Sequence, residues 1–278
     1  MKISEQARKT YTERFWELRD DRRFHFATRI KNHFGVSDFD DFFEEYFSDT
    51  ELAELLHNND YSEVNFYEQR RDYFEKYNNL FPIEASLCRI THLYNVLDLD
   101  LRQELLAKHS EEELYELCDA LLEDKPALNS LSTYAVDTIC LCENLFPRSI
   151  DVVSKLCKHI ERVDSPVAIY LITHIIICDT NFYTRKIGER HQESFNALLA
   201  QCEKYISDNF DEISLDIKLE FLVCSKMTGF ETSLIDKIRK ECAINMGEGY
   251  LQDPRRDDSL NTLNGAEHRN SLLVMSEI

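Results

Sequence analysis

The sequence has 278 residues, of which 43% are hydrophobic and 30% charged, proportions typical of a globular protein. Its net charge of −20 disfavours general binding to nucleic-acid phosphates or to anionic lipid. Only 6 glycines and 5 prolines are present, fewer than the turns of sheets and barrels require. These totals predict an all-α protein.

The nine cysteines are expected to be reduced and buried. Their number is odd, and most of them lie inside apolar helical patterns. The N-terminal stretch MKISEQARKTYTERF is polar and charged, unlike a secretory signal. No apolar run approaches the roughly 20 residues that a membrane-spanning helix needs. We therefore expect a cytoplasmic protein that neither binds nucleic acid nor inserts into a membrane.

Residues 1–81 are predicted to form aromatic-rich helices. Residues 4–33 form one long helix or two in line, with an apolar face that includes Arg22. A second helix is capped by Ser37 and a third follows Ser62, and their Phe and Tyr residues are interpreted as packed core. The opposite, basic face of the first segment consists of Arg8, Arg14, Arg19, Arg23 and Arg29. We interpret this face as solvated and paired with acidic neighbours; the alternative is a patch for an acidic partner.

The next part of the chain contains several helix signals. Pro82 opens a helix that ends near Leu97, and the capping box at Ser110 opens one that ends near Glu123. The Lys125-Pro126 pair is predicted to end that helix before the next one begins. Further helices are predicted over 128–145 and 147–163.

The segment Val167–Cys178 is apolar on every side except at Thr173 and His174, which is typical of a buried helix. A polar loop or irregular helix end follows over 179–186. The remaining helices are predicted over 191–209, 213–228, 231–246 and 266–278, with a charged loop over 247–258.

Some dozen helices in up-and-down order predict an array of antiparallel helical pairs, arranged as an α/α-toroid or an α-solenoid. We expect a single helical domain over 1–278. A subdivision into an aromatic-rich part, 1–81, and a helical-pair core, 82–278, is the alternative.

The stretch YLITHIIICDTNFYTRKIG resembles an uncharacterised helical domain family of prokaryotic proteins. The matching positions are Thr173, His174, Thr180, Phe182 and Gly188, followed by the helix in Asp211–Gly229 and by Glu267-His268. The resemblance covers roughly 164–278, and the spacing between Phe182 and Gly188 departs from the family pattern. It implies a relative of the α/α-toroids and brings no activity with it.

His174 is the most conspicuous polar residue, because a buried imidazole must form a hydrogen bond. A structural histidine bonded to Thr173 or to a carbonyl is one interpretation. The other is a ligand or general base at the mouth of a toroid. The candidate ligand-binding residues are then His174, Thr180, Arg185, His191, Glu267 and His268, with Asp179 as a further companion.

Signatures of a metal site or of catalysis are weak. Cys140 and Cys142 point apart on a helix, and no pair stands at CxxC spacing. His174 and Cys178 share one helix face and supply at most two metal ligands. Phosphate-binding loops and hydrolase motifs are absent from the sequence. We therefore predict no metal and no cofactor.

The sequence favours a non-enzymatic helical scaffold or binding protein that presents a concave surface to a protein or peptide. The alternative is an enzyme, or a small-molecule or metal binder, with a pocket around His174 and His268. The oligomeric state is left open.

Overall fold

The computed structural model describes residues 2–35, 38–49, 72–73 and 75–278, and these are mostly helical. The α-helices are α1 Ile3–Glu13, α2 Asp20–Phe34, α3 Asp40–Asp49, α4 Leu80–Leu97, α5 Arg102–Leu106, α6 Glu111–Glu123, α7 Lys125–Leu131, α8 Thr133–Leu145, α9 Val152–His159, α10 Pro166–Asp179, α11 Gln192–Asp208, α12 Leu215–Thr228, α13 Ile235–Ile244 and α14 Glu267–Ser276. Short 3-10 turns span Phe15–Glu17, Glu189–His191 and Asp258–Asn261. Among these residues the strands are β1 Met246–Gly247 and β2 Tyr250–Leu251. The all-α prediction is thus confirmed for the described part of the chain.

The chain divides into two compact units. Unit 1 contains Met1–Asp38, Arg162–Ile169 and Lys186–Ile278, and unit 2 contains Phe39–Glu161 and Tyr170–Arg185. Neither unit begins or ends at residue 81. Whether the whole chain behaves as a single domain stays a prediction. None of the helices in the described ranges combines the length and apolarity needed to cross a bilayer.

The C-terminal helix α14 is the centre of unit 1, where α1, α2 and α12 all pack against it. Its side chains from Glu267 to Met275 are buried apart from His268, although several of them are polar. Tyr11 of α1 stacks on Phe26 of α2 with ring centroids 5.1 Å apart, so the aromatic residues there are core, as expected.

Helix α8 is the centre of unit 2. It packs against α4, α6, α7 and α9, and every residue from Ala135 to Cys142 is buried. Helix α10 is also largely buried from Ala168 to Cys178, which confirms the prediction of a buried helix there. The sequence indicated burial more clearly for α10 than for α8, because the buried stretch of α8 contains the polar residues Asp137 and Thr138.

Some helix boundaries differ from the prediction and others agree with it. The 4–33 segment is two helices separated by a 3-10 turn. The helix capped at Ser110 ends at Glu123, as predicted, and Pro126 lies in the first turn of the next helix, α7, where the Asp124 carboxylate accepts the Ala127 N–H at 3.0 Å. Ser132, with φ of 51°, then separates α7 from α8.

Side chains cap the starts of two other helices. The capping box at Ser110 is present, with the Glu113 N–H donating to the Ser110 hydroxyl at 3.2 Å. The helix expected over 147–163 is shorter, Val152–His159, and its start is capped by Asp151, which accepts the Ser154 N–H at 3.0 Å.

A hairpin occupies the start of the loop predicted over 247–258. Met246 pairs with Leu251 and Gly247 with Tyr250. Gly249, with φ of 88°, has no room for a side chain, because a Cβ would lie 2.4 Å from the Thr10 hydroxyl. That hydroxyl donates instead to the Gly249 carbonyl at 2.8 Å.

The arginines of the basic face have carboxylate partners, as interpreted from the sequence. The pairs are Arg8–Asp38, Arg14–Glu17, Arg19–Asp21, Arg23–Asp20 and Arg29–Glu267. The predicted cap at Ser37 and most of the third aromatic helix after Ser62 lie outside the described residues.

Candidate functional site

The six candidate residues fall into both units. His191, Glu267 and His268 belong to unit 1, and His174, Thr180 and Arg185 belong to unit 2. Each group has its own hydrogen-bond partners.

Glu267 is a structural anion in unit 1. Its side chain is wholly buried and accepts from the Arg29 guanidinium at 2.9 and 3.2 Å and from the Ser271 hydroxyl at 2.7 Å. Arg22, the arginine predicted on an apolar face, lies 3.6 Å from the same carboxylate. The carboxylate therefore holds α2 against α14, and its lone pairs are occupied by protein donors.

His268 contacts an aspartate of α12. Its Nδ1 lies 3.5 Å from the Asp216 carboxylate, which also contacts Arg269 at 3.2 Å and Arg256 at 3.9 Å. Burial raises the pKa of Asp216, but the hydrogen bond from His268 and the charges of Arg269 and Arg256 outweigh it and hold the pKa below its ordinary value. The Asp216 carboxylate is therefore held in its ionised form and joins α12 to α14.

His191 is buried at the start of α11. Its backbone N–H donates to the Gly188 carbonyl at 2.9 Å, which closes the 3-10 turn. Its ring contacts Phe195 with centroids 5.7 Å apart. These contacts place His191 in the packing of unit 1.

In unit 2, polar residues recur seven positions apart on three elements. The pairs are Glu84 and Thr91 on α4, Asp137 and Asn144 on α8, and His174 on α10 with Asn181 just beyond it. Seven residues are close to two helical turns, so Glu84 and Thr91 share a face of α4, and Asp137 and Asn144 share a face of α8. Asn181 lies in the turn beyond α10, with φ of 48°. We name these six residues the polar seam. The spacing was visible in the sequence, but only His174 was singled out there.

Three members of the polar seam, Glu84, Asp137 and His174, are ionisable groups that influence one another. His174 Nδ1 lies 2.8 Å from Asp137 Oδ1, and the Cys178 thiol donates to the same oxygen at 3.4 Å. Burial and the nearby charge of Asp137 raise the pKa of Glu84 to about 8, against the opposing effect of His174. Glu84 therefore carries a proton at neutral pH.

Both interpretations of His174 stay predictions. Its Nδ1 contacts the Asp137 carboxylate, and the Thr173 hydroxyl donates to the Tyr170 carbonyl at 3.1 Å. The His174 side chain is 19% exposed and so is not fully enclosed.

Hydrogen bonds link this cluster to Arg185. The Cys178 carbonyl accepts the Asn144 amide N–H at 3.1 Å, and the Asn144 amide oxygen accepts from Arg185 Nη2 at 2.7 Å. Arg185 Nε donates to the Asp179 carbonyl at 3.0 Å. The guanidinium is therefore held in one orientation by two neutral acceptors.

The turn after α10 is strained. Asn181, Phe182 and Tyr183 have φ of 48°, 55° and 71°, in the left-handed region that costs a non-glycine residue roughly 1–2 kcal/mol. The Thr180 hydroxyl stabilises the turn by donating to the Ile177 carbonyl at 2.7 Å and accepting the Tyr183 N–H at 3.1 Å. Thr180 is thus a turn-forming residue with its hydroxyl in use.

Contacts from α4 also hold this turn. Asn95 and Asn181 exchange two hydrogen bonds of 3.1 and 2.9 Å. The Phe182 ring meets the buried His92 ring edge-on at 4.9 Å. Because tertiary contacts support the strain, it marks a candidate functional position.

A cavity of about 200 Å³ lies beside the strained turn. The apolar residues that line it, named here the apolar wall, are Ile90, Tyr94, Leu99 and Leu145. The polar residues that line it, named here the polar wall, are Thr91, Asn144, Asn181, Arg185 and the Asp100–Arg102 pair. The Thr91 hydroxyl is buried and has no hydrogen-bond partner among the described residues. Buried polar groups without a hydrogen bond are rare in native proteins, and each one calls for an explanation.

The two arginines of the cavity differ in charge balance. The Arg102 guanidinium forms two hydrogen bonds with Asp100, at 2.9 and 2.6 Å, and its backbone N–H forms a third at 3.1 Å. Together they lower the pKa of that carboxyl to about 2. Arg185 bonds only to the neutral oxygens of Asn144 and Asp179, and no carboxylate of the described chain forms an ion pair with it. Arg185 is exposed, and its positive charge at the cavity has no carboxylate partner among the described residues.

No protein-family model, curated protein sequence or solved structure matches the chain. The family resemblance over 164–278 therefore stays a prediction. Within the residues that the structure describes, no group of three or more His, Cys, Asp or Glu side chains is arranged to hold a metal ion.

Proposed function

We propose that the protein is a non-enzymatic binding protein whose binding site is the cavity of unit 2. The observation that carries this proposal is the cavity itself, which has one apolar wall and one polar wall at a strained turn. Binding sites commonly combine such an apolar lining with a few fixed polar groups, and backbone strain concentrates at functional positions.

The volume limits the ligand to a small molecule. A cavity of about 150 Å³ is known to hold benzene, and this one measures about 200 Å³. Tyr94 is 48% exposed at the cavity, where it can cover part of a bound ligand.

Broader expectations are part of the proposal. A toroid or solenoid of helical pairs, with a concave surface for a protein or peptide, stays a prediction, as does the absence of nucleic-acid binding. A cytoplasmic location is supported by the nine cysteines, all of which are free.

A second candidate function is an enzyme that uses His174 as a general base. The 2.8 Å contact with Asp137 favours it, because a carboxylate fixes the tautomer and orientation of an imidazole. The predicted companion, His268, is paired with Asp216 in unit 1. A substrate would have to reach the partly exposed ring of His174 without it.

Fragment binding tests the cavity proposal. Ligand-detected NMR with neutral fragments about the size of benzene is expected to show binding to the wild-type protein. Leu99→Trp fills the cavity and should abolish these signals. Leu260→Trp, at an exposed position in unit 1, is the matched control and should preserve them. The proposal would be contradicted if the wild-type protein showed no fragment binding, or if fragment binding persisted in Leu99→Trp.

A further inference from the structure

We propose that the ligand of this cavity is a small monocarboxylate whose carboxylate is bound by Arg185. This inference rests on the proposed function, since it assigns a chemical class to the ligand of the same cavity. The class follows from the charge balance of the polar wall and from the size of the apolar wall.

The orientation of Arg185 is set before a ligand arrives. Nε and Nη2 each donate to a fixed neutral oxygen, of Asp179 and Asn144, and neither bond uses Nη1. A guanidinium presents its donors in a planar fork that matches a carboxylate. Because its orientation is already fixed, less entropy is lost when an anion binds.

The neighbouring charges leave Arg185 as the anion receptor. Asp100 also lines the cavity, but its charge is matched by the two hydrogen bonds from Arg102. The polar wall then carries one net positive charge in a protein of net charge −20. An anion is therefore attracted to this wall, whereas most of the remaining surface repels it.

The apolar wall defines the rest of the ligand. Ile90, Leu99 and Leu145 offer hydrocarbon contacts, and Tyr94 adds an aromatic ring. A carboxylate on a short branched chain or on a single ring fits a volume slightly above that of the benzene cavity. Dicarboxylates are disfavoured because the second charge would lie against this apolar wall.

The test compares acids with their uncharged amides. Benzoate with benzamide and isovalerate with isovaleramide are titrated into the full-length protein by NMR or calorimetry. We expect each carboxylate to bind about tenfold more tightly than its amide. Arg185→Gln should reduce carboxylate affinity to that of the amide and leave the amide unchanged. Arg162→Gln, which removes an exposed charge in unit 1, should change neither.

A second variant separates charge from folding. Asn144→Asp keeps Arg185 and places a carboxylate beside its guanidinium, so it should remove the preference for acids in the same way. Circular dichroism establishes that each variant is folded. If amides bind the wild type as tightly as acids, and Leu99→Trp abolishes both, the cavity proposal stands and the carboxylate inference is overturned. If no probe binds, acid, amide or neutral fragment, both are overturned.

Discussion

Glu84 is expected to make the stability of the protein depend on pH. It lies half-buried beside Asp137, and its pKa is raised from an ordinary 4.5 to about 8 by burial first and by that carboxylate second. Between these values the folded state holds a proton that the unfolded chain has released. The free energy of unfolding therefore falls as pH rises, by about 1.4 kcal/mol per pH unit.

The stabilisation that protonated Glu84 contributes is fully present below pH 4.5 and is lost as the pH rises towards 8. From pH 5.5 to 7.5 the free energy of unfolding falls by about 3 kcal/mol for this reason. That is a large part of the roughly 5–15 kcal/mol typical of a folded domain. Glu84→Gln replaces the protonated carboxyl by a neutral amide of similar shape. The variant should be more stable than the wild type at pH 7.5, and this advantage should shrink as the pH falls.

Urea unfolding followed by far-UV circular dichroism at several pH values measures this difference. Glu112→Gln, at an exposed position of α6, is the matched control and should follow the wild type. The comparison between variants cancels other titrating groups, such as His33, whose pKa is lowered to about 4 by burial and by Lys226. Parallel pH profiles for the wild type and Glu84→Gln would refute the reasoning.

The remaining predictions concern two carboxylates, Asp137 and Glu267, and their partners. His174→Ala leaves the buried Asp137 without its imidazole partner. It should lower the free energy of unfolding by about 1–3 kcal/mol, and the melting temperature with it. An unchanged melting temperature with lost ligand binding would favour a functional histidine instead. Glu267→Gln breaks the buried ion pair with Arg29 and should lower the free energy of unfolding by about 3–5 kcal/mol, measured by denaturant unfolding. Little change there would show that Glu267 does not stabilise the fold through its charge.

Local signals in the sequence were sufficient for much of the fold. The scarcity of glycine and proline indicated helices, and the apolar stretch after Pro166 indicated a buried helix, which is α10. The capping box at Ser110 was also found, because its residues are three positions apart. The hairpin over 246–251 was missed, since its strands have only two residues each and show no alternation.

The candidate site was predicted only in part. Arg185 lies at the cavity, and His174 is part of the polar seam. Thr180 serves the turn, and Glu267 serves the packing of α14. The seven-residue spacing of the polar seam could have identified its other members, but each spacing taken alone is common in helices.

The sequence alone determined that the chain is helical, acidic and apolar at α10, because these properties depend on composition and on neighbours within a few turns. The tertiary structure decided which aspartate each histidine meets: Asp137 for His174 and Asp216 for His268. It also placed Arg185 at a cavity where no carboxylate of the described ranges forms an ion pair with it. A buried polar group takes the partner that packing brings to it from elsewhere in the chain, and no local pattern encodes that choice.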